Sequence, residues 1–194
     1  MSRSTLSVFV AGVVVGVMIA QLVGPSLPFL GGGQAPLPVE GQVLVVEDSQ
    51  YLSAVTPLIE RANRSVYVIM FVMKYDPGDD DDPVNELLSI LADTASRGVD
   101  VRVLVDEETR DSYPQTIEFL KEHGIGVRLD KSSGITTHAK VVIVDGEFVV
   151  IGSHNWTESA LRYNHEVSAL IRSGKAAEEL TNYFERLWDE GRAV

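Results

Sequence analysis

Two β-branched runs flanking Asp145-Gly146 constrain this chain more than anything else in it. Lys140-Val-Val-Ile-Val144 lies on one side and Phe148-Val-Val-Ile151 on the other. An Asp-Gly between apolar runs is a strong hairpin signal, because the favoured tight turn needs positive φ at its central residues. With Asp145 and Gly146 as the loop, Val144 faces Glu147, Lys140 faces Ile151 and His138 faces Ser153. With Gly146 and Glu147 as the loop, His138 faces Asn155 and Lys140 faces Ser153. Opposed residues share a face and side chains alternate along a strand. Both registers therefore put His138, Lys140, Ser153 and Asn155 on one side. A three-residue loop, or a bend before Ser153, would break that parity.

The remainder reads as scaffold. Val43 to Val46 is a short strand, and Tyr51 to Ala62 carries Leu52, Val55, Leu58, Ile59 and Ala62 at helical spacing. Pro57 either kinks that helix or starts it, with Thr56 as cap. Ser65 to Met73 is a buried strand, followed by an acidic turn from Asp76 to Pro83. That turn reads as a solvated loop whose Asp82 caps the next helix rather than as a cation site, since calcium-loop spacing is missing. Val84, Leu87, Leu88, Leu91 and Ala95 line one helix face, which Gly98 ends. Strands over Val99 to Val105 and Gly126 to Leu129 enclose a helix from Pro114 to His123. A last helix, Gly174 to Trp188, presents Ala177, Leu180, Phe184, Leu187 and Trp188 on one side. Helices alternating with apolar strands imply an α/β layered sheet with helices on both faces.

Ahead of this domain, Leu6 to Val23 is uncharged and almost wholly apolar, near the lower limit for a membrane span. The reading is an uncleaved anchor over residues 1–30, a linker over 31–40 and a catalytic domain over 41–194. Arg3 precedes the span and the next cation is Arg61, which orients the domain to the extracytoplasmic side of the membrane. The chain carries no cysteine, so disulfides, zinc–thiolate sites and cysteine nucleophiles are excluded. A net charge of -12 argues against broad nucleic-acid binding, which needs clustered cations.

The four polar groups suit a phosphodiester. Neutral imidazole is a nucleophile and proton carrier near neutral pH. A lysine ammonium is a compact cation for a non-bridging phosphate oxygen, and Ser153 and Asn155 can donate to the others. Downstream, Asn164-His165-Glu166 offers a carboxylate able to hold one ring N–H of His138. No divalent-metal ligand set accompanies these residues, so metal-independent chemistry without a cofactor is expected. His154 and His165 read as structural or surface residues, and Trp156 and Tyr163 as cleft or packing residues.

The pattern His138-x-Lys140-x4-Asp145-x6-Gly152-Ser153-x-Asn155 resembles the signature of the phospholipase D superfamily. Asn164-x-Glu166 resembles that family's trailing motif, and the likeness runs from about Val43 to Trp188. The Tyr67-to-Lys74 strand with its acidic turn is similar to the small single-motif members, among them bacterial endonucleases and membrane-anchored mitochondrial cardiolipin hydrolases. The resemblance implies catalytic roles for His138, Lys140, Asp145, Ser153, Asn155 and Glu166, with Lys140, Ser153 and Asn155 holding substrate. Parity sets Asp145 apart, at the turn, as a structural or supporting residue. The resemblance also implies a phosphohistidine intermediate and a second histidine as acid and base. One motif copy then implies a homodimer with two His138 residues facing across a two-fold axis. Membrane phospholipid is the expected substrate and nucleic acid the alternative; a catalytically silent phosphodiester-binding domain is the least favoured reading.

Overall fold

In the computed structural model of the chain, residues 37–131 and 134–194 are described. The apolar span from Leu6 to Val23 lies outside them, and among the described residues no helix is long and apolar enough to cross a membrane. The first half of the domain runs β1 (Val43–Glu47), α1 (Gln50–Glu60), β2 (Ser65–Met70), α2 (Pro83–Ser96), β3 (Asp100–Val105), α3 (Glu107–Ser112), α4 (Pro114–Glu122) and β4 (Gly126–Leu129). The second runs β5 (Lys140–Val144), β6 (Phe148–Gly152), α5 (Glu158–Arg162), β7 (Val167–Arg172), α6 (Gly174–Glu190) and β8 (Arg192–Ala193). The strands form one eight-stranded mixed sheet in the order β1-β7-β6-β5-β2-β3-β4-β8. β2, β3 and β4 are parallel, and the other pairings are antiparallel.

Helices cover both faces, as the alternating pattern implies. On one face Val66, Val68, Met70, Val103, Val142 and Val150 pack with Val55, Leu58 and Ile59 of α1 and Leu87, Leu88 and Leu91 of α2. On the other, Ile69, Leu104, Val141, Ile143 and Val149 receive Ala177 and Phe184 of α6. Strands buried on both sides read as continuous aliphatic runs, and β5 is buried at every position. Each such Val, Leu or Ile contributes roughly 1.5–3 kcal/mol of transfer free energy. Asp82 caps α2 as its sequence suggests, its Oδ1 accepting the Val84 N–H at 2.8 Å. Pro57 lies inside α1, which begins ahead of it at Gln50. β2 stops at Met70, short of the expected Met73, and the short helices α3 and α5 arise where the sequence carries no helical period.

The hairpin departs from both expected registers. Asp145 and Gly146 take positive φ of 55° and 63°, and the Glu147 N–H closes the turn on the Val144 carbonyl at 3.0 Å. Pairing then resumes with Val144 opposite Phe148, so Glu147 is an extra residue and Val141 lies opposite Ile151. Glu147 is committed elsewhere. Its carbonyl accepts the Ser173 N–H at 3.0 Å and its carboxylate takes Arg172 Nε at 2.7 Å. A tight turn followed by such a bulge shifts the ladder by one residue. Strand parity alone would then separate Ser153 and Asn155 from Lys140.

A crossing of the chain beyond β6 decides where those residues go. Residues 153–156 leave β6 and reach the continuation of β2, where the Trp156 N–H bonds Val72 and its carbonyl accepts from Lys74 at 2.8 Å. Gly152 marks the departure. A Cβ there would overlap Ser168 and the Val167 carbonyl, so only glycine lets β7 pass this closely.

Asp145 serves the fold. Its carboxylate accepts the backbone N–H groups of Asn63, Arg64 and Ser65 at 2.8–3.2 Å, fastening the start of β2 to the hairpin turn. Asp145→Ala is expected to lower the unfolding free energy by about 2 kcal/mol, read as a lower urea midpoint, with Asp145→Asn recovering part of it. An alanine variant with the wild-type midpoint would contradict this account.

Candidate active site

Strand direction gathers the chemistry at one edge. The carboxyl ends of β1, β2, β3, β4 and β6 and the amino ends of β5 and β7 all reach it. Its residues are Asp48, Phe71, Asp106, Asp130, Lys140, Ser153 and Glu166, each within a residue or two of a strand end. Open α/β sheets place their sites outside such strand ends.

His138 is exposed, with its ring tilted on Phe71 at 4.5 Å between centroids. Lys140 lies below it, 6% exposed. Its ammonium donates to the His138 carbonyl at 2.9 Å and stands 3.1 and 3.3 Å from the two ring nitrogens. It also lies 4.9 Å from the centre of the Phe71 ring. Burial pulls the Lys140 ammonium below its ordinary range, and the Glu166 carboxylate works against that.

Glu166 receives the Ser153 hydroxyl and, at 3.2 Å, the Asn164 amide. The expected bond between Glu166 and the His138 ring is not made; the carboxylate is occupied by Ser153 and Asn164, and its charge reaches Lys140. Asn155 lies between two inward-turned residues, His154 and Trp156, both fully buried. Its amide oxygen is buried and without a hydrogen-bond partner among the described residues. An unpaired buried acceptor costs about 1–3 kcal/mol. Asp145 is not brought to this edge: it lies at the other end of β5, roughly 16 Å of strand from Lys140.

Three carboxylates here had no place in the sequence reading. Asp48, at a positive φ of 48°, ties Glu166 in place: its N–H donates to the Glu166 carbonyl and its Oδ1 accepts the Glu166 N–H, both at 2.9 Å. That pairing and contact with His165 hold the Asp48 carboxyl below the usual range. Asp106 and Asp130 both grip the Thr137 N–H, next to His138. The signal for all three was present: each is the first aspartate after an aliphatic strand run. His154 is structural, as read. It stacks on Tyr51 at 4.5 Å, accepts from Ser168 at Nδ1 and donates from Nε2 to the Asp48 carbonyl at 3.0 Å. Trp156 packs, with its indole N–H on the Tyr51 hydroxyl at 3.1 Å. His165 is a fully exposed side chain beside Asp48, and Tyr163 lies on the surface.

A paired imidazole and ammonium, flanked by a hydroxyl, an amide and a carboxylate, can hold a tetrahedral oxyanion and attack its centre. Residues 55–188 match the model of the phospholipase D-like domain of cardiolipin synthase. The chain is 30% identical over 138 residues to a mitochondrial cardiolipin hydrolase of Chlamydomonas reinhardtii, covering 71% of this chain and 57% of that one. It is 34% identical over 129 residues to a phospholipase D of Rickettsia prowazekii, covering 66% and 58%. The chain thus spans little more than half the length of these curated relatives. Among solved structures, Nuc of Salmonella typhimurium, a phospholipase D family member, superposes with a TM-score of 0.66 at 28% identity, covering 80% of this chain and 99% of that one.

Burial holds the His154 imidazole below its ordinary pKa of 6.5. The unfolded chain therefore takes up a proton at a higher pH than the folded one. Stability is fully present above about pH 6.5 and falls as the pH drops through the unfolded value toward the folded one. Urea midpoints should decline as the pH falls below about 6.5, and His154→Gln should flatten that decline. Equal slopes for the two proteins would refute the assignment.

Proposed function

The chain belongs to the phospholipase D-like domain family, and from that membership we propose that it is a metal-independent phosphodiesterase that hydrolyses membrane phospholipid through a phosphohistidine on His138. The observation that carries this reading is the His138–Lys140 pair, an accessible imidazole with a buried ammonium against its ring nitrogens. The printed names of the relatives, cardiolipin hydrolase and phospholipase D, support the reaction class.

Lys140, the Ser153 hydroxyl and the Asn155 amide bind the non-bridging oxygens and stabilise the charge that develops on them. A ring nitrogen of His138 attacks phosphorus, and the bond to the leaving oxygen breaks as that oxygen takes a proton from a second imidazolium. The second imidazole, now neutral, removes a proton from water. The water oxygen attacks phosphorus, the N–P bond breaks, and a phosphate monoester leaves. Glu166 keeps Ser153 and the lysine charge in place, and Asp145 acts only through the fold.

The second imidazole belongs to His138 of another copy. His154 is walled into the core, His123 is bonded to the Phe119 carbonyl at the end of α4, and His165 stands off beside Asp48. A surface for the second copy adjoins the site. Val43 and Val45 of β1, Val167 of β7 and Ile151 of β6 share a sheet face by register, beyond the reach of α6. Val45 is 64% exposed and Val167 54%. A contiguous bare apolar face next to Ser153 and Glu166 fits a partner copy. The N-terminal apolar stretch supports a membrane tether, with the domain on the extracytoplasmic side.

The full chain, with chelator present, should release product from cardiolipin or phosphatidylcholine vesicles, and His138→Ala should abolish it. Cleavage of single-stranded DNA alone would replace the lipid reading with the nuclease one. Wild type and His138→Ala equally inert on both would favour a silent binding domain. Mixing equal amounts of wild-type and His138→Ala chains, with exchange, should lower activity per wild-type chain to about half, because half of those chains then sit in mixed dimers. Activity proportional to wild-type chains alone would eliminate the shared site.

A further inference from the structure

Two carboxylates that the proposed chemistry leaves unused meet behind the loop that carries His138. Asp106 is the first residue beyond β3 and Asp130 the first beyond β4, and these strands are parallel neighbours. Asp106 is 7% exposed and Asp130 4%. Both turn Oδ2 to one donor, the Thr137 N–H, at 2.8 and 3.2 Å. Their other oxygens differ. Asp106 Oδ1 accepts the Glu108 N–H at 3.0 Å and caps α3, whereas Asp130 Oδ1 is buried without a partner among the described residues.

Two buried carboxylates at one N–H cannot both be ionised without strong repulsion, and a single proton between them removes it. Asp106 is also committed to the start of α3, which it caps. Burial and the neighbouring Asp106 both push the Asp130 carboxyl up, although contacts from Thr137 oppose the shift. The charged groups packed around the pair are committed to other partners. On α3, Glu108 accepts the Ser112 hydroxyl and Glu107 pairs with Arg110. From β8, Arg192 donates to the Asp130 backbone carbonyl at 3.2 Å and its guanidinium also reaches Glu107. Lys131 pairs with Glu190 at 3.3 Å.

We propose that Asp106 and Asp130 form a one-proton clamp on Thr137, with Asp130 a positioning residue that holds His138 over Lys140. This rests on His138 being the nucleophile. Thr137 precedes His138 directly, and the His138 N–H turns back to the Thr136 carbonyl at 3.1 Å. Release of Thr137 moves the loop on which the imidazole rides, and displacement of about 1 Å costs up to about a hundredfold in rate. Loss of the shared proton as the pH rises sets two negative charges against each other at the clamp and frees the loop.

The test follows the full chain in two readouts between about pH 5 and 9, the Thr137 amide in a ¹⁵N–¹H spectrum and kcat on bis(4-nitrophenyl) phosphate. In the wild type the amide should shift as the pH rises and kcat should fall with the same midpoint. Asp130→Ala should lower kcat about tenfold with little change in KM, and Asp130→Asn, whose amide can donate to Asp106, should restore much of it and remove the fall with pH. An amide that is flat with pH, or that titrates identically in Asp130→Asn, overturns the clamp. A titrating amide with an unrelated kcat profile overturns the positioning role. His138→Ala as active as the wild type would sink the nucleophile reading and the positioning role with it, while the amide titration would still report on the clamp. The asparagine variant keeps the test decisive should the alanine variant fail to fold.

Discussion

A lysine ammonium held inside the end of an aliphatic strand is the constraint on which the rest of this structure turns. Every other residue of β5 is Val or Ile, and the strand is buried on both faces. Taking an ammonium out of water costs several kcal/mol unless acceptors and opposite charge compensate. Lys140 is compensated by the His138 carbonyl, the His138 ring, the face of Phe71 and the field of Glu166. These groups come from the strand itself, the end of β2 and the start of β7. Satisfying one buried cation thus requires three strands to finish at the same level, and that level is where the site forms.

Much of this was legible in the sequence because it is local. The Asp-Gly turn, the Asp82 cap and the apolar face of α6 each depend on residues within a few positions of one another. The register of the hairpin was not legible, since the bulge at Glu147 is chosen by Arg172 and Ser173, far along the chain. Parity reasoning therefore grouped His138, Lys140, Ser153 and Asn155 through pairings the sheet does not make. Ser153 instead meets Lys140 through Glu166, and Asn155 lies on the segment crossing from β6 toward β2. The carboxylates Asp48, Asp106 and Asp130 escaped notice for a related reason. Their partners are backbone N–H groups of Glu166 and Thr137, which no motif encodes.

The same edge is supported from within. Its supports are backbone donors and buried carboxylates that belong to one chain, so the imidazole and ammonium are placed by the fold itself. Asp48 fixes Glu166 by one main-chain bond and one bond from the Glu166 N–H to its carboxylate, and His154 fixes Asp48 in turn. Support of this kind, in which each group near the chemistry is oriented by another, is what holds reacting groups within a fraction of an ångström.

The carboxylate of Asp145 has a consequence for the order in which the chain assembles. The hairpin that carries it closes over a few residues, on a timescale of microseconds. The donors that satisfy the carboxylate lie about 80 positions upstream, at the entry to β2. They arrive only when β2 slides in against β5, a contact with a high loop-closure cost. Until then the turn stays solvated and the hairpin is an unanchored flap. Docking of the turn and seating of Lys140 against Phe71 are opposite ends of the same strand pairing, so the chain cannot finish its fold without also finishing the edge that carries His138 and Lys140.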